Sequence, residues 1–151
     1  PQRPLAGARG AIILLGGNDA QPVFLRPTEH ELSSGRRREW VEWTDEPGWR
    51  RTYRNRTRAL VDALCAAGVP KVLVVVPADG TREGWIARIG RVQEEQLAGA
   101  RISRCGRGLD TRGARPRAAD TLDGVHLSST GARTVWARVG PEVLRYFEIT
   151  P

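Results

Sequence analysis

Residues 71–77, KVLVVVP, decide the fold class. Their apolar residues run without a polar break and Pro77 stops them, which is the pattern of a strand buried on both faces rather than one alternating between core and solvent. AIILLGG, residues 11–17, repeats the pattern and ends in glycines. Between the two runs Trp49, Tyr53, Thr57, Leu60, Val61, Leu64 and Cys65 recur at steps of three and four, and Gly68 follows as a stop signal. An amphipathic helix between two buried strands is the crossover that a parallel pair requires.

Outward from this unit, Trp85, Ile86, Ile89, Val92 and Leu97 mark a further helix, weakened by Gly84 and Gly90, and a short strand is expected near Arg101 to Cys105. From about Gly106 to Asp120 the composition shifts to Arg, Gly, Ala and Pro without apolar periodicity, so residues 106–120 read as a loop. Ser128 or Ser129 is placed to cap a last helix with Ala132, Val135, Trp136, Val139, Val143 and Phe147 on its apolar face. Residues 27–48 read as an insertion after the first strand. Strands alternating with helices predict a single α/β domain over residues 1–151, with a mostly parallel sheet covered on both faces.

Composition agrees with one core: 151 residues at 40% hydrophobic content. The formal charge is 24 − 17 = +7, and Lys71 is the only lysine, so the positive charge is almost all arginine. The arginines cluster at 36–38, 50–58 and 101–117. Such clusters attract anionic polymers through counterion release, but no nucleic-acid-binding motif accompanies them, so solvated faces are the expected reading and no nucleic-acid partner is expected. Cys65 and Cys105 show neither metal spacing nor a CxxC pair. They either pair in an oxidising compartment, or Cys65 packs as a small apolar residue. No apolar run approaches the roughly 20 residues of a membrane-spanning helix, and no signal peptide is visible. The first residue is Pro1 rather than methionine, which predicts removal of the natural N-terminus.

Ligands of open parallel sheets bind beyond the carboxyl ends of the strands. GGND, residues 16–19, and PADG, residues 77–80, follow the two apolar runs and are expected to open on that edge. DGVH, residues 123–126, sets a carboxylate three residues before an imidazole. Imidazole is the usual general base near neutral pH, and a carboxylate holds it in the useful tautomer.

LLGGNDA, residues 14–20, and DGVHLSSTGA, residues 123–132, resemble the third and fifth sequence blocks of the SGNH, or GDSL-type, hydrolase superfamily. The span 47–78 is also similar to a bacterial branch of unassigned function in that superfamily. The resemblance implies a flavodoxin-like three-layer α/β/α fold and a serine esterase using a Ser-His-Asp mechanism without metal or organic cofactor. It implies that His126 is the base, that Asp123 orients it, that Asn18 donates to the oxyanion, and that Gly16, Gly17 and Asp19 line the substrate site. The expected substrate is a small-molecule or polysaccharide ester.

The family's nucleophile block, GDS at the end of a first strand, has no counterpart: PQRPLAGARG before residue 11 contains no serine. Ser33, Ser34, Ser103, Ser128 and Ser129 do not sit in a glycine-acid-serine turn after an apolar run. The serine is therefore expected from outside this chain, with the family's N-terminal strand and helix missing and an exposed sheet edge prone to association. The alternatives are an O-acyltransferase acting on a polysaccharide, or an inactive carbohydrate- or polyanion-binding module.

Overall fold

The structure, a computed structural model, describes residues 5, 7–17, 19, 23–25, 39–41, 46–82, 84–114 and 116–150. Strand β1 (Ala11–Ile13) precedes a two-stranded antiparallel ribbon of β2 (Val23–Leu25) and β3 (Glu39–Val41). Helix α1 (Glu46–Ala66), strand β4 (Val72–Val75), helix α2 (Trp85–Ile102), strand β5 (Gly106–Leu109) and helix α3 (Ser129–Phe147) follow. Among the described residues β1, β4 and β5 form one parallel sheet in the order β1-β4-β5, with Ala11 opposite Val72 and Val72 opposite Gly106.

Strand β4 is central because its side chains are apolar on both faces. Val72 and Val74 pack with Val61 and Cys65 of α1, with Val69 between α1 and β4, and with Ala100 of α2. Leu73 faces the other way with Leu109 and Val143, joined by Val75, Val139, Tyr146 and Phe147. Helices α1 and α2 thus cover one face and α3 the other, a three-layer α/β/α arrangement with the parallel sheet that the apolar runs predicted. Helix α1 starts at Glu46 and buries Trp49, Tyr53, Val61 and Cys65 of the expected stripe. A disulfide joins Cys65 to Cys105 with Cα atoms 6.0 Å apart, tying the end of α1 to the start of β5. No helix of the described residues is long and apolar enough to cross a membrane.

Three expectations need correction. The strand expected near Arg101 to Cys105 lies later, at Gly106–Leu109, because α2 continues to Ile102. Residues 106–120 are accordingly not one loop: β5 takes the first four, and short 3-10 turns at Arg112–Ala114 and Ala118–Asp120 punctuate the rest. The strand escaped the apolar pattern because glycine supplies its inner face; a Cβ on Gly108 would stand 2.6 Å from Leu97 Cδ2. Strand β1 was expected to be buried on both faces, yet Ile12 and Leu14 are 54% and 67% exposed. Among the described residues β1 pairs only with β4, so its outer edge lacks the neighbour that would bury them. Of the expected insertion over 27–48, residues 27–38 and 42–45 lie outside the described residues, while β3 and the first turn of α1 occupy the remainder.

Candidate active site

His126 and Asp123 stand on the loop that enters α3. That loop is closed on itself by backbone bonds: Leu122 N–H donates to His126 O at 2.8 Å, and Ser128 N–H donates to Asp120 O at 2.9 Å. Ser128 then caps α3, its Oγ accepting from Gly131 N–H at 3.1 Å and donating to Asp120 O at 3.1 Å. This commits the Ser128 hydroxyl to structure, as capping chemistry predicts.

Inside the loop, Asp123 Oδ1 accepts the backbone N–H groups of Val125 (3.0 Å) and His126 (2.8 Å), and Oδ2 lies 2.7 Å from His126 Nδ1. The His126 backbone N–H foremost, then its imidazole and the Val125 N–H, hold the Asp123 carboxyl well below the usual carboxylate range. An ionised carboxylate only accepts, so the proton between them sits on Nδ1, the tautomer in which a neutral imidazole keeps its lone pair on Nε2. Among the described residues Nε2 has no hydrogen-bond partner, and the His126 side chain is 65% exposed.

The loop is docked onto the turn after β4. Thr81 N–H (2.7 Å) and Arg82 N–H (3.1 Å) both donate to Gly124 O. The fit leaves no space for a side chain: a Cβ on Gly80 would stand 2.3 Å from Gly124 O and 2.9 Å from Trp85 Cδ1, while Gly124 itself takes φ +83°. The PADG turn expected to border the site therefore also sets the position of the His126 loop.

Across from His126, GGND follows β1. Asp19 N–H donates to Gly16 O at 3.0 Å. Gly16 takes φ +110°, and its missing Cβ would stand 2.6 Å from Gln96 Nε2. Gln96 donates to Leu15 O (3.0 Å) and to Tyr53 Oη (3.1 Å), and Tyr53 in turn donates to Asp19 Oδ2 at 2.6 Å. Burial foremost, and then the Asp19 carboxylate, push the Tyr53 phenol well above its ordinary range. Asn18, the expected oxyanion donor, lies outside the described residues.

Gly16, Gly17, Asp19 and His126 line one cavity of about 580 Å³ with Trp85 and Val125 among its other walls. It opens beyond the carboxyl ends of β1 and β4, where an open parallel sheet binds ligands. The two sequence motifs, more than a hundred residues apart, thus meet. Sequence reasoning missed Tyr53, which it read as core, and Gln96 and Trp85 as parts of the site. Gln96 left one signal, an amide on the inner side of an apolar helix, and it is nearly fully buried.

Part of the arginine charge is engaged locally. Arg50 bonds Glu94 (2.7 Å) and Glu95 (3.0 Å), and Arg54 bonds Glu95 (2.7 Å), bridging α1 to α2. Arg107 pairs with Glu142, Arg112 with Asp110 and Arg117 with Asp120. No family model, curated protein or solved structure matches the chain.

Proposed function

We propose that this chain carries the general base, its orienting acid and one wall of the ester site of an SGNH-type serine esterase, with the nucleophilic serine supplied from outside residues 1–151. The observation that supports this reading is the His126–Asp123 pair, 2.7 Å apart, with Nε2 free among the described residues beside a cavity shared with the GGND turn. In this mechanism Nε2 takes the proton of the serine hydroxyl as it attacks the ester carbonyl, and Asp123 stabilises the imidazolium. Asn18 donates to the oxyanion, the imidazolium returns its proton to the leaving alcohol, and water then releases the acyl group. The same groups serve transfer to a sugar hydroxyl, and the two outcomes differ only in the acceptor.

Two of the three described serines support an external nucleophile, while Ser129 is exposed in the first turn of α3 and Ser33 and Ser34 lie outside the described residues. Ser103 is buried next to the C-terminus of α2, and Ser128 is committed as a cap. Beside the cleft, Ile12 and Leu14 form an apolar groove with Trp136, Val135 and Val139 of α3, and Trp136 is 52% exposed. A strand added to the edge of β1 that is unpaired among the described residues would cover this groove and deliver its carboxyl end to the cavity. The Cys65–Cys105 disulfide supports an oxidising, extracytoplasmic setting.

The test uses a fluorophosphonate probe, which labels activated serines, on residues 1–151 and on a chain extended at its amino end. Only the extended chain should label, and His126→Ala should abolish labelling. Stoichiometric, His126-dependent labelling of residues 1–151 would place the nucleophile within this chain. An extended chain with a serine after an apolar run that never labels would remove the esterase reading.

A further inference from the structure

We propose that Arg82, Arg88 and Trp85 form a subsite for the anionic group of an acidic saccharide ester, beside the His126 cleft; the inference rests on that cleft being the ester site. A second cavity, of about 380 Å³, is lined by Arg82, Gly84, Trp85 and Arg88. Trp85 lines both this cavity and the one holding His126, so the two spaces share the indole as a wall. Behind it, Trp85 is anchored on the cluster of Trp49, Tyr53, Ile89 and Val92, where the Trp49 and Tyr53 rings stack at 4.9 Å. Arg82 is fixed against the catalytic loop, since its N–H donates to Gly124 O and a Cβ on Gly124 would stand 3.0 Å from Arg82 Cβ.

Charge distinguishes the two cavities. The inner one presents Asp19 and lies at the His126–Asp123 pair, so it repels an anion and accepts an uncharged ester. The outer one presents two guanidinium groups. Among the described residues no carboxylate pairs with Arg82 or Arg88, unlike Arg50, Arg54, Arg107, Arg112 and Arg117; Glu83 lies outside the described residues. Guanidinium groups match carboxylate or sulfate oxygens, and an indole face takes the C–H face of a sugar ring. A substrate with an ester inside and an acid outside would be oriented by this field. A saccharide fits better than a nucleic acid. Among the described residues the outer cavity carries a single aromatic wall, and the paired arginines of α1 and of residues 107–117 provide no continuous basic track for a phosphate backbone.

The test needs no nucleophile. Residues 1–151 are titrated at low salt with an O-acetylated oligogalacturonide, an acetylated neutral xylo-oligosaccharide of equal length, and single-stranded oligothymidylate, read by the Trp85 indole and His126 resonances. The galacturonide should bind about tenfold more tightly than the neutral chain, the combined effect of two exposed charge pairs. It should shift both resonances. Arg82→Gln with Arg88→Gln should bring the two saccharides within about twofold while leaving the thermal melt unchanged. Equal binding of acidic and neutral saccharides overturns the proposal. So does a preference that survives the double substitution, or oligothymidylate binding as tight with the same arginine dependence. The probe-labelling experiment is independent of this titration, so failure of the subsite and failure of the esterase reading are told apart.

Discussion

Reducing the Cys65–Cys105 bond should remove a large part of the stability of this domain. The bond closes a sequence separation of 40 residues. Chain entropy released in the unfolded state on reduction is about 2.1 + 1.5R ln n, which for that separation comes to about 13 cal/mol/K, or about 3.9 kcal/mol at 298 K. Against a typical total of about 5–15 kcal/mol, the loss is a quarter or more of the whole. The cysteine positions explain why the folded state should survive reduction: Cys65 is buried among Val61, Val69, Val72, Val74 and Ala100, which hold the end of α1 on β4 without the crosslink. Urea unfolding followed by circular dichroism, with and without a reductant, should show a midpoint lower by about 2 M for the reduced protein, taking a slope of about 2 kcal/mol/M. Cys65→Ala with Cys105→Ala should lose about 1 kcal/mol more than reduction does, because the buried sulfur is also removed. Two titratable thiols in the denatured, unreduced protein, or a midpoint that ignores reductant, would refute the reasoning.

Gly80→Ala should cost about 1–3 kcal/mol, because its Cβ would stand 2.3 Å from Gly124 O; the His126 ring resonances should move with it, and an unchanged melt would show that the loop is free to shift. Tyr53→Phe removes the donor to Asp19 and the acceptor from Gln96. It should lower unfolding free energy by about 1–3 kcal/mol, and a loss below about 0.5 kcal/mol would mean that Asp19 is satisfied by water instead. Hydrogen bonding from His126 and Val125 depresses the folded pKa of Asp123, so its contribution is fully present above the unfolded carboxylate value of about 3.9 and is lost as pH falls through the lower folded value. The Val125 and His126 amide resonances should therefore titrate below about pH 3.9, the ordinary aspartate value; a midpoint at or above it would contradict the geometry. In an enzyme that labels with the fluorophosphonate probe, Asn18→Ala should cost about 10²–10³ in kcat, and wild-type turnover would take Asn18 out of the site.

The sequence alone determined the layers. KVLVVVP has no polar face, so β4 had to be covered on both sides, and the stripe from Trp49 to Cys65 supplied one of the covers. It also determined the local geometry of Asp123 and His126, because a carboxylate reaches the N–H groups two and three residues on without help from the rest of the chain. Strand β5 was hidden because its signal is absence: Gly108 leaves space for Leu97, and an absent side chain writes no periodicity. The cleft itself was decided by tertiary structure. Gly80 against Gly124, Tyr53 against Asp19, and Gln96 against Tyr53 join residues separated by 44, 34 and 43 positions, and close approach between such distant segments depends on how the helices seat on the sheet. The exposure of Ile12 and Leu14 has the same origin. A composition of apolar residues declares a strand that can be buried, but only the neighbours present in space determine which of its faces and edges are.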